Sequence, residues 1–371
     1  MKGIFTEETG IQYQGSRYPF PCVYDPLPAS DAIFFQVNEQ QRDECLAGIE
    51  RKFIDILNWI HADAGRFPDL IYMHHASFNA IAMQRALATL DTSTPTFIHL
   101  HGTELSAARE YGEAARMALE QVTRNASLTA YISSDDRNRL LELVPQTDRS
   151  RLLYFPPWLN EKIFHPGRSA EEKQTEHSVV LIGRLAKWKR IEALILAAKH
   201  FTDRTDARVV IVGEGPDGQR LHELAAAQGM HSRIEFTGFI PHHKLGCLLR
   251  KSASVLVNTS AFEPFGMTII EAMACGVPVI ATNRGGPVDL INADTGCLVD
   301  DHGNIEDYAA RLGETICKAL VENWRVRKGP ACIAAAKRFS IQSRRNEIEA
   351  LLHAAIGAEV EAFPAHPDPS M

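Results

Sequence analysis

The second half of the chain contains five short apolar runs, each separated from the next by a segment long enough for a helix. The runs are residues 178–182, 208–212, 234–237, 253–258 and 277–281, and amphipathic helices are predicted at about 190–201, 217–227, 244–250 and 267–274. Apolar runs of this length that alternate with helices predict a parallel sheet with helices on both faces. This half is therefore expected to form a doubly wound α/β domain.

The first half shows the same alternation less regularly. Residues 1–38 are predicted to be irregular apart from a short strand at 32–37, and a helix follows at 40–62. Strands are then predicted at 70–73, 96–100, 128–133 and 152–155, with helices at 80–90, 104–125 and 135–143. A chain of 371 residues is long enough for two domains. The predicted domains are 1–166 and 167–340, followed by a helix at 341–360 that packs back on the first domain and a disordered tail at 361–371.

Charge and cysteine usage narrow the class of protein. The net charge of −7 argues against a nucleic-acid partner, which would favour a basic surface. Seven scattered cysteines without zinc-like C-x-x-C spacing indicate reduced thiols. No apolar run has the length of a signal sequence or a transmembrane segment. The expectation is a cytoplasmic protein, whose oligomeric state the sequence does not indicate.

Two cations follow the first strand of the second half. The strand at 178–182 ends at Gly183, and Arg184 and Lys189 come before the next helix. Ligands of open α/β sheets lie at the carboxyl ends of the strands. Arginine offers a planar donor fork and lysine a compact charge, which together suit a diphosphate. Solvated surface charge is the alternative that these residues alone leave open.

A second candidate segment follows the strand at 253–258. Its loop carries Glu263, and Gly266 precedes a helix that contains Glu271. The free N–H groups of a helix start bind phosphate, and a glycine there lets the phosphate come close. Carboxylates accept hydrogen bonds from sugar and ribose hydroxyls. Glu271 lies in an otherwise apolar segment, so its carboxylate is expected to need a polar partner.

The segment Gly213-Glu214-Gly215-Pro216-Asp217-Gly218 matches G-x-G-x-x-G after a strand, which is also the pattern of dinucleotide-binding loops. Its context argues against an NAD site. The segment opens the second βα unit of its domain, and Pro216 falls within the phosphate loop.

The residues from Gly183-Arg-Leu to Lys189, and from Glu263-Pro-Phe-Gly to Glu271, resemble the donor motif of glycosyltransferase family 4. The resemblance covers about residues 70–340 and implies the GT-B fold, which has two Rossmann-like domains facing a cleft. It also implies a retaining transfer that needs no metal. One departure is Arg190, where a glycine commonly follows the lysine. Residues 1–37 are too short for the family's first βα unit, so the N-terminal domain is expected to be shortened at its start.

The resemblance also implies roles for individual residues. Arg184 and Lys189 would bind the diphosphate and stabilise the leaving group, and Glu263 would hold sugar hydroxyls. His101, in a strand ending His101-Gly102-Thr103, would lie beside the reacting sugar. Glu271 would bind the ribose. The remaining implied donor-binding residues are Gly183, Gly213, Gly238, Phe239, Ile240, Phe265, Gly266, Met267 and Thr268.

His99 and His101 lie on one face of a predicted strand, so a metal pair is conceivable. No third ligand is evident in the sequence. The neighbouring His74 and His75 would point in opposite directions on a strand and are interpreted as ordinary polar histidines. The prediction is therefore that the protein has no metal and no other cofactor.

The predicted function is a retaining hexosyl-type glycosyltransferase. A UDP-sugar is the favoured donor and a GDP-sugar the next, with a hydroxyl of a small molecule or a glycan as the acceptor. Two alternatives stay open. One is a nucleotide-sugar-binding protein without turnover, and the other is an epimerase or phosphorylase on the same fold.

Overall fold

The structure is a computed structural model that describes residues 10–13, 16–19, 39–167 and 177–345. The strand predicted at 32–37, most of the helix predicted at 341–360 and the tail at 361–371 lie outside the described residues. A hairpin of β1 (Gly10–Tyr13) and β2 (Ser16–Pro19) lies in the segment predicted to be irregular.

The N-terminal domain contains a four-stranded parallel sheet in the order β3-β4-β5-β6. Its strands are β3 (Ile71–His74), β4 (Thr96–His99), β5 (Leu128–Tyr131) and β6 (Leu152–Tyr154). Its helices are α1 (Glu39–Ala64), α2 (Phe78–Thr89), α3 (Thr103–Glu110), α4 (Glu113–Asn125) and α5 (Ser134–Leu143). Among the strands that the structure describes, β3 is at one edge of this sheet.

The single helix predicted at 104–125 is wrong, because the structure contains two helices there. Helix α3 ends at Glu110, and α4 begins at Glu113. Gly112 lies between them with φ 73° and ψ −144°. Glycine adopts this conformation at low cost, so the chain can change direction at this point.

The C-terminal domain contains six parallel strands in the order β12-β11-β10-β7-β8-β9. The strands are β7 (Ser178–Ile182), β8 (Arg208–Val212), β9 (Ile234–Gly238), β10 (Ala253–Asn258), β11 (Val279–Thr282) and β12 (Gly296–Val299). The helices are α6 (Ile191–Ala198), α7 (Gly218–Ala227), α8 (His242–Ser252), α9 (Met267–Ala274), α10 (Pro287–Leu290), α11 (Ile305–Val321) and α12 (Trp324–Ala336). This order confirms the doubly wound prediction, and it reverses between β7 and β10.

The apolar strands supply two separate cores. Val179 and Val255 belong to the core that includes α6 and α11, whereas Val180 and Leu256 belong to the core that includes α9. Successive side chains of a strand point to opposite faces of the sheet. Continuous apolar strands therefore bury residues under both helical layers.

Backbone packs directly on backbone where β7 and β8 end. A Cβ atom added at Gly213 would lie 2.0 Å from Gly183 O, and one added at Gly215 would lie 2.3 Å from Leu185 O. The Leu185 N–H donates to Glu214 O at 2.9 Å. The two glycines therefore allow the loop after β8 to pack on the loop after β7.

Among the described residues, no helix combines the length and the apolar character that crossing a bilayer requires.

Substitution of Gly213 tests whether a steric clash with Gly183 adds to the backbone strain that alanine has at a positive φ. Gly213→Ala places its methyl group against Gly183 O, so we expect a loss of at least about 2 kcal/mol in the free energy of unfolding, or failure to fold. Gly229 also has a positive φ, of 69°, but a Cβ there meets nothing within 4 Å. Gly229→Ala should therefore cost only about 1 kcal/mol. Equal losses in urea unfolding would contradict this packing argument.

Candidate active site

The site lies where the strand order reverses. Strands β7 and β10 are neighbours, and the loops that follow them are joined by hydrogen bonds. The Ala261 N–H donates to Trp188 O at 2.9 Å, and the Thr259 hydroxyl donates to Lys189 O at 2.7 Å. The fold therefore brings together the two candidate segments, which are about 70 residues apart in sequence.

Lys189 and Glu263 form an ion pair between these loops. Lys189 Nζ lies 2.6 Å from Glu263 Oε2, and both side chains are largely buried. Asn258 Nδ2 and Ser260 Oγ donate to the same oxygen at 3.2 and 3.3 Å. Every hydrogen bond from the described residues to this carboxylate therefore goes to Oε2. The second oxygen, Oε1, is left to accept bonds from a ligand.

Arg184 is exposed immediately after β7. In the part of the chain that the structure describes, its guanidinium has no ion-pair or hydrogen-bond partner. An arginine at the carboxyl end of a central strand, with its donors unused, can bind an anion bidentately. Arg184 and Lys189 thus supply one free and one paired cation to the same edge of the sheet.

Arg190 departs from the family pattern, and the structure shows how the departure is accommodated. Its backbone has φ 48° and ψ 41°, a left-handed conformation that favours glycine. The guanidinium forms an ion pair with Asp301 and lies 5.1 Å from the centre of the Tyr308 ring. These side-chain contacts, which a glycine could not make, offset the cost of placing an arginine in a left-handed backbone conformation.

The start of α9 is arranged to receive an anion. Gly266 has φ 107°, and a Cβ there would lie 2.7 Å from Ile269 Cδ1. The N–H groups of Ile269 and Ile270 donate to Gly266 O, so the two preceding N–H groups, of Met267 and Thr268, are left without helical acceptors. Phe265, which the resemblance assigns to donor binding, is buried beneath this turn.

The loop that carries Glu263 is supported from behind by a pair of glycines. The Gly286 N–H donates to Glu263 O at 2.8 Å. A Cβ at Gly286 would lie 2.4 Å from Phe265 Cα, and one at Gly285 would lie 2.4 Å from Glu263 O. Close backbone packing therefore holds the Glu263 carboxylate in position.

Glu271 has the polar partner that its apolar surroundings required. The carboxylate is 4% exposed and accepts a hydrogen bond from His242 Nε2 at 2.7 Å. Burial raises the pKa of Glu271, and the bond from His242 partly opposes that rise. Sequence reasoning missed His242, since the two residues lie 29 positions apart. The sequence feature that could have indicated a role for His242 is its position, shortly after Gly238-Phe239-Ile240 and at the start of α8.

Gly238 ends β9, and Phe239 and Ile240 follow it at the same edge of the sheet. Gly238 has φ 70° and accepts a hydrogen bond from Gly213 N, and the Phe239 N–H donates to Glu214 Oε1 at 3.2 Å. The Phe239 side chain is 70% exposed. An exposed aromatic ring of this kind is available to stack on a planar ligand.

The N-terminal domain contributes the opposite wall of the site. A Cβ at Gly102 would lie 2.9 Å from Pro264 Cβ, so the His101-Gly102 turn lies against the loop that carries Glu263. The Ser134 N–H, at the start of α5, donates to Asp289 Oδ2 at 2.7 Å. The Arg139 guanidinium lies 4.4 Å from the centre of the Phe262 ring. The two domains therefore meet beside the candidate sugar-binding residues.

Three histidines converge at the end of β4. His74 is paired with His99 in the parallel register of β3 and β4, and His74 Nδ1 lies 2.8 Å from His101 Nε2. One nitrogen from each of these three rings lies within 4.8 Å of the other two. Burial, followed by the charges of neighbouring histidines, lowers the pKa of His99 to about 3 and that of His101 to about 4. The third ring that was not evident from the sequence is His74.

Glu104 is hydrogen-bonded to two residues of this region, His75 and His101. Its buried carboxylate accepts hydrogen bonds from the His101 N–H and from His75 Nδ1, the latter at 2.7 Å. Burial alone would raise its pKa, but the bond and the charge from His75 keep the pKa of Glu104 below its usual value. His75 itself has φ 67°, and its N–H donates to His99 O.

Asp136 is a buried carboxylate beside Gly102. It is 0% exposed, and neither oxygen has a hydrogen-bond partner among the described residues. Arg139 Nη1 lies 3.7 Å away. Burial raises the pKa of Asp136 to about 8, and the charge of Arg139 only partly opposes this effect.

Comparison with known proteins gives a family match to the C-terminal domain. Residues 167–322 match the family "Glycosyl transferases group 1". The D-inositol 3-phosphate glycosyltransferase of Corynebacterium efficiens is 29% identical over 270 residues, which are 67% of this chain and 61% of that protein. The chain spans between 32% and 61% of the length of the first curated relatives that it matches.

Solved structures identify the fold over most of the chain. Sucrose-phosphate synthase from Thermosynechococcus elongatus superposes with a TM-score of 0.69 at 22% identity, over 86% of this chain and 80% of that one. Anabaena HepE in complex with UDP-glucose superposes with a TM-score of 0.65 at 20% identity, over 81% and 82%. The fold is GT-B, as the resemblance implied, and the family match of the C-terminal domain supports the resemblance to GT-B glycosyltransferases.

Asp136 should make stability depend on pH. The unfolded chain loses this proton near pH 4, whereas the folded protein keeps it up to about pH 8, so stability falls as pH rises between these values. Asp136→Asn removes the ionisation, and we expect it to be more stable than the parent by more than about 1 kcal/mol at pH 8, with the gain shrinking towards pH 4.

The measurement is urea unfolding of parent and variant at pH 5 and pH 8. Asp203→Asn, at an exposed position, controls for the loss of one negative charge. If the difference in free energy of unfolding between Asp136→Asn and the parent is the same at both pH values, Asp136 does not hold the proton in the folded protein.

Proposed function

We propose that this GT-B protein, whose C-terminal domain matches the group 1 glycosyltransferases, transfers a hexosyl group from a nucleotide-sugar to an acceptor hydroxyl. The observation that carries the proposal is the arrangement at the reversal of strand order. Arg184, which has no ion-pair partner among the described residues, the Lys189–Glu263 ion pair and the start of α9 lie at one edge of one sheet. That edge is where α/β domains bind nucleotides.

Departure of the diphosphate is the step for which these groups are suited. Arg184 and Lys189 neutralise the negative charge that develops on the diphosphate as the glycosidic bond breaks. The backbone N–H groups of Met267 and Thr268 stabilise the same charge by donating hydrogen bonds to the phosphate. Lys189 has three donors, so it can contact a phosphate while it keeps Glu263 in place. These cations make a metal ion unnecessary for this step.

The sugar would lie between the two domains. The free Glu263 Oε1 accepts hydrogen bonds from its hydroxyls, and His101 approaches from the N-terminal wall beside Gly102. No side chain is assigned as a covalent nucleophile. The acceptor hydroxyl would attack from the face that the diphosphate leaves, which retains the anomeric configuration, as the family resemblance implies.

The nucleoside would extend towards β9. Glu271 binds the ribose hydroxyls, and the exposed Phe239 ring lies against the base. Uracil is the favoured base, with guanine next. The UDP-glucose complex of HepE, a protein of the same fold, supports uracil. The acceptor is proposed to be a hydroxyl of a small molecule or a glycan.

Binding of UDP, GDP, ADP and NAD, measured by calorimetry in the presence of EDTA, tests the donor site. We expect UDP to bind most tightly and Glu271→Ala to weaken its binding. Arg184→Ala should lower turnover of a UDP-sugar much more than it lowers UDP affinity, because its role is in the transition state. Transfer at the parental rate by Arg184→Ala would refute the leaving-group role.

Binding and turnover, measured together on the same protein, separate the alternatives. A protein that binds UDP-sugars but releases no UDP with any acceptor would be a binding protein without turnover. Conversion of the nucleotide-sugar into its epimer, with no acceptor present, would identify an epimerase. Binding of NAD alone would exclude a donor site at the reversal of strand order.

His242 should act on nucleotide binding through Glu271. His242→Ala removes the bond that orients the buried carboxylate, and we expect UDP and uridine to bind about tenfold more weakly, which is about 1.4 kcal/mol. His242→Gln keeps an N–H donor and should recover most of the affinity.

His243→Ala is the matched control for this measurement, because His243 is the adjacent exposed residue. A loss as large in His243→Ala as in His242→Ala would point to a general disturbance of the start of α8. Parental affinity in His242→Ala would show that Glu271 needs no positioning residue.

A further inference from the structure

We propose that His74, His99 and His101 together bind one divalent transition-metal ion of the zinc and cobalt type. The site lies at the carboxyl ends of β3 and β4, on the N-terminal wall of the cleft. It is separate from the cations that face the leaving group, and it does not rest on the proposed transfer reaction.

The parallel register creates the cluster. His74 and His99 are directly paired across β3 and β4, and side chains of paired residues point to the same face of a sheet. His101 follows two residues after His99, where the chain leaves the strand. The centres of the His99 and His101 rings are 4.4 Å apart, and those of His74 and His101 are 5.0 Å apart.

The distances are close to those of a metal site. Zinc–nitrogen bonds of about 2.0–2.1 Å in a tetrahedral arrangement place the ligand nitrogens about 3.3 Å apart. His74 Nδ1 and His101 Nε2 are 2.8 Å apart, and one nitrogen from each of the three rings lies within 4.8 Å of the other two. Small rotations of the rings would therefore open enough space for an ion.

The surroundings suit neutral imidazole ligands. His99 is 3% exposed, the Tyr72 hydroxyl is hydrogen-bonded to its Nδ1 at 2.6 Å, and its Nε2 has no hydrogen-bond partner among the described residues. The Glu104 carboxylate accepts a hydrogen bond from the His101 backbone N–H, and this bond positions the turn that carries the His101 ring. Outer contacts of this kind orient metal-binding histidines. Metal binding requires the uncharged form of the ring, which burial favours here.

Three histidines leave at least one coordination position open. His74 is exposed, so this position can be reached from the outside of the described structure. Sites with three protein ligands and one open position are typical of ions that bind a water molecule or a substrate oxygen. The class of exogenous ligand that fits is therefore an oxygen donor, such as a hydroxyl or carboxylate group.

Cobalt(II) provides a direct test, because its absorption spectrum reports the number and type of its ligands. The full chain, prepared without a histidine tag and dialysed against EDTA, is titrated with CoCl₂, and zinc affinity is then measured by competition with a chromophoric chelator. We expect about one ion per chain, with a spectrum of four or five nitrogen and oxygen ligands.

His74→Ala is the decisive variant, because it removes an exposed ligand that has no assigned role in donor binding. We expect it to lose at least about tenfold in metal affinity, since even changes outside the ligand set cost this much. His231→Ala, at an exposed position in the C-terminal domain, should bind the ion like the parent. UDP binding in EDTA should be unchanged in His74→Ala, which shows that the variant is folded and tests the donor site separately.

Two results would overturn the proposal. One is the absence of stoichiometric cobalt or zinc binding by the parent. The other is equal affinity in the parent and in His74→Ala, which would place the ion on other surface groups. His99→Gln, which keeps a polar side chain on β4, provides a second variant that should also lose the ion.

Discussion

The candidate site depends on the ion pair between Lys189 and Glu263. It joins two loops 74 residues apart at the place where the strand order of the C-terminal domain reverses. An isolated surface pair of this type would contribute little, but here two further donors bind the same carboxylate oxygen. The pair holds one carboxylate oxygen and leaves the other for a ligand. The same loops therefore present a cation and a hydrogen-bond acceptor side by side.

Close backbone contact is the second constraint, and it explains several glycines that a motif search would assign to ligand binding. Gly213 and Gly215 let one strand-end loop pack on another, and Gly286 supports the loop that carries Glu263. A methyl group at any of these positions would overlap backbone atoms. Their function in this chain is therefore first to place the ligand-facing loops, and the chemistry belongs to the side chains and N–H groups that those loops present.

Much of the fold follows from patterns that extend over only a few residues. The alternation of apolar runs and helices predicted the parallel sheets and most element positions, because period and length are local properties. The helix predicted at 104–125 failed at Gly112, where a single left-handed glycine divides an otherwise continuous pattern. The need of Glu271 for a polar partner was also visible, since a carboxylate in an apolar segment must be compensated. The identity of that partner was not.

The sequence by itself determined the doubly wound class of the C-terminal domain, the positions of Arg184 and Lys189 after a strand, and the glycine at the start of α9. Only the tertiary structure decided that His242 bonds Glu271, that His74 joins His99 and His101, and that Gly102 lies against Pro264. The physical reason is distance along the chain. Strand register and domain contact bring together residues that lie 25 (His74 and His99) to 162 (Gly102 and Pro264) positions apart, and no local pattern encodes which of them meet.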